Sequence, residues 1–502
     1  MSFFWKGRLG EKPSDLLKHY YAETMREPLF LEALHQWDKA QVVVLGEQDI
    51  APPEAMRALL HAVTEMEKEG VVEARKALWN VIHGGEEYMR KHCDEEKSGW
   101  LHVGRSSPSI RVVASRIAFR DLQLQIMASA VELRAKIIDV AEQHVETLMP
   151  GYSYIQHIEP GTLGFYLMSF VEPLERDFRR LVSSYENTNI SAVGTGAAYG
   201  IEFPLDLERF DKLLGFEAAP WNARDSIRNY DYMIETYMAL ALMHNTLGRV
   251  AMDFLIWHSS EFGFIKLPDR LCITSSISPQ MRIPYVLEFV HGTSGLIAGR
   301  LMEALAITKT ASDQLEMATM LPAEFWKCAD ESLRAMDAMV DALGDMKVNK
   351  ARMAQCANDH WSQASTVVGY LVKEHGMSYR TGHQVLALMM QTVADNNIPP
   401  SEVKAEVLEN AVEKYTGHRI GVTQEVLDQL FDAMQCVRER KYRAGAAPER
   451  VVEHVVAARD RIKQDRQFIV EKVGAIEASR KRLDGAFNAL KSKYEDSQGR
   501  LK

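Results

Sequence analysis

Four stretches without proline, residues 285–321, 323–398, 401–447 and 449–502, leave this chain few ways to fold. An interior proline removes a helix hydrogen bond and clashes with the preceding turn. Long proline-free runs rich in Ala, Leu, Met, Glu, Lys and Arg therefore predict long helices. Upstream, apolar residues recur at helical steps, as in Tyr237, Leu240, Met243, Leu247 and Met252. Alternating, strand-like segments are scarce, and Gln41-Val42-Val43-Val44-Leu45 is short and ambiguous. The reading is an all-α chain built from long helices.

Turn signals gather at a few places: Ile50-Ala51-Pro52-Pro53, residues 102–109, Met149-Pro150-Gly151-Tyr152, Val193-Gly194-Thr195-Gly196, and residues 267–284. From about 225 to 362 the pattern is helical except for 267–284, which suits a bundle with one functional loop between two helices. The three glycines of residues 193–200 lack a strand–helix context and read as a tight turn. Near the end, Ile462, Ile469, Val473, Ile476, Leu483, Phe487, Leu490 and Tyr494 form a heptad-like stripe, interrupted by Arg466 and Arg480. It reads as a helix laid on the body or as an inter-subunit helix. The interruptions keep the first reading at least level with the second.

Charge narrows the partners. Lys+Arg is 59 and Asp+Glu is 69, a net charge of −10, which argues against a nucleic-acid role. No apolar run reaches the roughly 18–20 residues of a membrane span. The first residues lack the pattern of a secretory leader. Five widely spaced cysteines with no Cys-x-x-Cys pair point to a reducing, cytoplasmic setting. The 16 histidines show no His-x-x-x-His or His-Glu-x-x-His spacing, so no metal is expected. His83 and Glu87, four apart, read as a surface or core contact.

Polar groups concentrate in three inter-helix segments: 101–109, 149–157 and 271–288. The last is small-residue-rich, bounded by strong helices, and looks like a mobile lid. Its core, Ser275-Ser276-Ile277-Ser278-Pro279-Gln280-Met281-Arg282-Ile283-Pro284, resembles the aspartase/fumarase superfamily signature Ser-Ser-x-Met-Pro-x-Lys-x-Asn-Pro. Within that superfamily the chain resembles the argininosuccinate lyase branch. The likeness runs from Phe4-Trp5-Lys6-Gly7-Arg8 to about residue 462. It includes Leu101-His102-Val103-Gly104-Arg105-Ser106, Glu202-Phe203-Pro204-Leu205-Asp206, Trp257-His258-Ser259-Ser260-Glu261 and Tyr379-Arg380-Thr381-Gly382-His383.

The resemblance implies an N-terminal helical domain (1–112), a central bundle carrying the signature loop (113–362) and a C-terminal helical domain (363–462). Residues 463–502 would be an extra helix. It also implies a homotetramer whose active sites combine loops of three subunits, acting on a small molecule without metal or cofactor. A signature-loop serine would remove the proton beside a carboxylate. A histidine backed by a glutamate would serve the leaving group.

That chemistry places demands on the residues. A proton beside a carboxylate is very weakly acidic, and removing it builds charge that cations and donors must meet. Ser275 matches the catalytic serine, with Ser276 beside it, and Glu288 matches the supporting glutamate. Arg105, Ser106 and Gln156 match substrate-binding positions. Elsewhere the pattern departs. Ser153-Tyr154 replaces Thr-His, so the family histidine is missing. Ser107-Pro108-Ser109 replaces Arg-Asn-Asp, Met281 the lysine and Ile283 the asparagine. Tyr230 stands where an arginine is expected, and Leu315-Glu316-Met317-Ala318-Thr319-Met320 replaces Tyr-Asn-Lys-Asp-Leu-Gln. Arg282 offers a substitute cation only from a neighbouring position. His157 replaces the lost histidine only with a register shift, and reads otherwise as a loop contact. Tyr154 reads as an acid or a packing residue.

The departures share a direction, towards a pocket less positive and more apolar, in which a dianion loses its partners yet is still desolvated. Three functions follow, in order. The first is a lyase eliminating across a C–N or related bond in a substrate less acidic than a substituted succinate. The second is an inactive or repurposed scaffold or regulatory partner. The third is a true argininosuccinate lyase releasing fumarate and arginine.

Overall fold

The computed structural model describes residue 14 and residues 27–78, 81–309 and 316–499. The side chains of 316–320, Met317 among them, lie outside the described residues, as does the Phe4–Arg8 motif. Helices dominate. Helix α1 (Pro28–Glu47) and α2 (Pro53–Glu69) begin with proline in the first turn, where no helix donor is lost. The ambiguous Gln41–Leu45 run is helical and buried inside α1.

Five long helices form the centre: α3 (Ser107–Gln143), α4 (Leu163–Thr188), α5 (Asp231–His258), α6 (Tyr285–Thr308) and α7 (Glu316–Asp345). Helix α3 packs on α4 and α7, and α5 packs on α4 and α6. A reciprocal cap starts α3: Ser106 Oγ accepts from Ser109 N, and Ser109 Oγ from Ser106 N. Its residues 109–120 are buried on every side, as the middle element of a bundle requires.

Two prolines depart from the sequence expectation. Pro173 lies inside α4 and Pro322 inside α7, so neither breaks its helix. The local penalty of about 3 kcal/mol is outweighed by burial of neighbours such as Val171, Leu174, Leu321 and Phe325. Segment 149–157 also differs from the loop expected. Strands β1 (Leu148–Ser153) and β2 (Gln156–Thr162) form an antiparallel hairpin whose register shifts between Pro150 and Gly151. A two-residue ladder joins β3 (Ile265–Lys266) to β4 (Lys347–Val348) and pins the start of the signature loop to the far end of α7.

The C-terminal part has its own core, in which Val367 and Leu371 of α8 (Ala364–His375) and Val385 and Met389 of α9 (Tyr379–Asp395) meet Leu408 and Val412 of α10 (Ala405–Thr416). Helix α11 (Pro448–Gly499) returns along the body. Ile476, Leu483, Phe487 and Leu490 enter the main core, so the stripe is laid on its own chain. The interrupting arginines meet acids of α3: Arg480 pairs with Asp121, and Arg466 with Glu132 at 2.8 Å. The expected boundaries at 112 and 462 fall inside the continuous helices α3 and α11. Among the described residues, no helix is long and apolar enough to cross a membrane.

Candidate active site

The signature loop leaves β3 and ends at α6. Its neck is closed by Ile273 and Ile283, which exchange both backbone hydrogen bonds at 2.9 Å. Beyond the neck, Ser275 is half-buried and Ser276 exposed. The Ser275 hydroxyl oxygen accepts from Ile277 N at 3.1 Å and Ser278 N at 3.0 Å. Two donors aimed at one oxygen favour its negatively charged form.

A cleft of about 930 Å3 lies against the neck, lined by Met281, Arg282, Ile283, Glu288, His258, Lys266 and Lys347. Glu288 sits exposed in the first turn of α6, where the helix dipole favours a carboxylate. Arg282 is held by the loop itself, donating to the Leu267 carbonyl and pairing with Asp269. The cleft is nonetheless not devoid of cations. Lys266 and Lys347 are direct partners across β3–β4 and both line it. His258, in the last turn of α5, is held below the ordinary histidine range by burial and by Arg282 and Lys266. Its Nε2 is buried without a hydrogen-bond partner.

The other expected residues lie elsewhere. Arg105 is buried, donates to Asp38 at 2.7 Å and lies 5.0 Å over the Trp37 ring. Ser106 caps α3 and donates to the Gly196 carbonyl at 2.5 Å. Residues 193–200 form the tight turn expected; at Gly196 (φ 58°) an added Cβ would stand 2.3 Å from the Gly200 oxygen. Ser107 opens α3, its hydroxyl 2.6 Å from His83 Nε2. Tyr230 is buried and stacks on Tyr232 at 6.1 Å, and burial pushes its phenol up to about 12.

The β1–β2 tip carries Ser153, Tyr154, Ile155 and Gln156. Tyr154 is 96% exposed, and both central residues are left-handed, φ 54° for Tyr154 and 59° for Ile155. For a β-branched residue that conformation is strained. His157 pairs with Tyr152 across the hairpin, its ring 4.5 Å from His360 and its Nδ1 3.4 Å from Ser362 Oγ. One chain thus gathers Met281, Arg282 and Glu288 at the cleft, and Arg105, Ser106 and Ser107 at the head of α3. The Tyr154 tip projects into solvent.

Sequence reasoning passed over His258, Lys266 and Lys347, whose approach depends on the β3–β4 ladder. It also passed over a cluster of His83, Glu86 and His102. His102 Nδ1 lies 2.7 Å from Glu86 Oε1, and His83 Nδ1 3.4 Å from the same oxygen. Burial alone would raise the Glu86 carboxyl, but hydrogen bonds from His102 and His83 bring it to about 2.

Comparison with known proteins agrees with this architecture. A family model described as Lyase matches residues 54–299. Argininosuccinate lyase of Methanoculleus marisnigri is 29% identical over 489 residues, covering 97% of each chain. That of Methanocaldococcus jannaschii is 29% identical, covering 95% of this chain and 98% of the other. In fold, EDDS lyase in complex with formate superposes with a TM-score of 0.87 at 23% identity, covering 99% of both chains. A 3-carboxy-cis,cis-muconate lactonizing enzyme from Pseudomonas putida gives 0.68 at 18%, covering 89% of this chain and all of the other. The all-α bundle and its signature loop resemble those of the aspartase/fumarase superfamily, and the likeness to argininosuccinate lyases runs over nearly the whole chain. The chain is argininosuccinate lyase-like, a lyase of the carbon–nitrogen class.

Proposed function

We propose that the chain eliminates across a C–N or related bond, without cofactor, in a substrate less acidic than a substituted succinate. Ser275 is the base. The observation that carries this reading is the pair of backbone donors on its hydroxyl oxygen, from Ile277 and Ser278. A free serine hydroxyl is a poor base, and such donors make its alkoxide accessible. One substrate carboxylate is met by Lys266 and Lys347. The apolar Met281 and Ile283, where the family carries lysine and asparagine, leave a second carboxylate without partners. Tyr154, projecting from the hairpin tip, is the acid supplied to a neighbouring copy's cleft.

That role needs a homotetramer. In its support, α5 and α6 turn large apolar groups to solvent, including Met238, Leu242, Leu296 and Met302. Gly292, Gly295 and Gly299 leave open space along α6, as close packing of helices from separate copies would use. The reading places the protein in the cytoplasm, in keeping with five unpaired cysteines.

The test is to follow ultraviolet absorbance of the new double bond with argininosuccinate and with a panel of N-substituted 3-amino monocarboxylic acids, in which the proton beside the carboxylate and the departing nitrogen lie on adjacent carbons. Turnover of a monocarboxylate that Ser275→Ala abolishes supports the reading. Robust fumarate release from argininosuccinate overturns the altered pocket. Silence on every substrate, with no Ser275-dependent binding, favours the repurposed scaffold. Light scattering should give a mass four times the 56.9 kDa of one chain, and a stable single chain would sink the tetramer.

A further inference from the structure

We propose that His83, Glu86 and His102 form a binding site for one divalent transition-metal ion of the zinc or cobalt type. Their ligand atoms all lie within 4.8 Å of one another. Zinc holds nitrogen and oxygen ligands at about 2.0–2.1 Å, which sets tetrahedral ligand atoms roughly 3.3 Å apart. The His83 Nδ1 to Glu86 Oε1 separation, 3.4 Å, already has that value. The His102 Nδ1 to Glu86 Oε1 separation, 2.7 Å, is a hydrogen bond in which a proton occupies the place an ion would take. A tetrahedral face needs that edge opened by roughly half an ångström and the edge between the two imidazoles, which is at most 4.8 Å, brought to the same length.

The surroundings suit an ion. His83 is 2% exposed, and its second nitrogen lies 2.6 Å from Ser107 Oγ, which fixes the ring with Nδ1 towards Glu86. Outer contacts of this kind orient histidine ligands in metal sites. The His102 side chain is 39% exposed, giving an entry path and room for a water in the fourth position. Two imidazoles and one carboxylate prefer borderline transition metals over magnesium or calcium. The ion would tie the start of helix Gly84–His92, which carries Glu86, to the loop between His102 and Ser107 where α3 begins. None of the three ligands lines the cleft beside the signature loop, so the site stands independently of the elimination chemistry.

The test uses the full chain, stripped with a chelator and titrated with Co2+. One equivalent should produce visible ligand-field bands of four- or five-coordinate cobalt, which Zn2+ then bleaches. His102→Asn, at an accessible position, and the near-isosteric Glu86→Gln should each weaken binding at least about 10-fold. Zn2+ should raise the melting temperature of the wild type and not of His102→Asn. Circular dichroism of the metal-free variants checks that both fold. Absence of the bands, or bands and zinc stabilisation that persist in both folded variants, overturns the proposal and leaves a hydrogen-bonded triad.

Discussion

Arg105 donates to one oxygen of the Asp38 carboxylate at 2.7 Å, inside the protein, and Arg75 takes the other oxygen. Burial alone would raise the Asp38 carboxyl, but Arg105 and Arg75 hold it below the usual range. Removing its charge would strand two buried guanidiniums. Asp38→Asn should therefore cost on the order of 3–5 kcal/mol in denaturant unfolding. Gly85→Ala should act through the same pair, because its Cβ would stand 2.0 Å from Asp38 Oδ2. The double variant should lose less than the two singles together. The depressed folded pKa makes this stabilisation complete above the carboxylate range and lost as pH falls through it. Losses below about 1 kcal/mol in both singles would show that the triad contributes little.

That relationship shows what could be read from the chain and what could not. The position of Arg105 beside Ser106 was legible as a motif, and residues 101–109 were legible as an inter-helix segment. The direction of the guanidinium was not, because Asp38 and Arg75 reach it only through packing. The hairpin was hidden for a local reason. Its strands contain Pro150, Gly151, Pro160 and Gly161, which spell turns in sequence, and its tip uses Tyr154 and Ile155 where Asn-Gly would have announced it. The tail helix was legible in period, and its two arginines made sense only once Asp121 and Glu132 were seen opposite. His83, Glu86 and His102 are separated by two and then fifteen residues, a spacing that matches no single-helix metal pattern.

His244 is fully buried on α5, 2.6 Å from Ser332 Oγ, and burial brings its imidazole down to about 4 from 6.5. The folded protein keeps it neutral while the unfolded chain takes up a proton. The contribution is therefore present above pH 6.5 and lost as pH falls from 6.5 through about 4. The total is on the order of 3 kcal/mol. Urea unfolding between pH 4 and pH 7.5 should show this slope in the wild type and a flatter one in His244→Gln. Equal slopes would remove His244 as the source.

Met281 and Ile283 line the cleft where the family signature has lysine and asparagine. Met281→Lys with Ile283→Asn adds a cation and an amide on the same loop. Hydrogen bonds to charged groups contribute about 1.5–3 kcal/mol, so the affinity for a dicarboxylate such as fumarate should rise roughly 10- to 100-fold. Inhibition constants for fumarate and for a monocarboxylate would be compared in both proteins. An equal gain for both ligands would mean that the second carboxylate is met elsewhere.

Helix α11 is fastened to the body by one face. Leu483, Phe487 and Leu490 are nearly inaccessible. Lys39 reaches Asp484 at 2.7 Å from α1 and lies 4.8 Å over the Phe487 ring. Gly46 of α1 leaves room for Leu490, since a Cβ there would stand 2.5 Å from its Cδ2. Phe487→Ala should accordingly cost about 3–5 kcal/mol, and Leu490→Ala about 2–5. Gly46→Ala should be destabilising by overpacking of the same contact, by about 1–3 kcal/mol. Combined with Leu490→Ala it should cost less than the sum, because the shortened side chain makes room for the new methyl group. Val470→Ala, on the exposed side of the same helix, is the control and should stay within about 0.5 kcal/mol. If Phe487→Ala and Val470→Ala unfold alike, the stripe is not what holds this helix, and a second copy of the chain becomes the partner to look for.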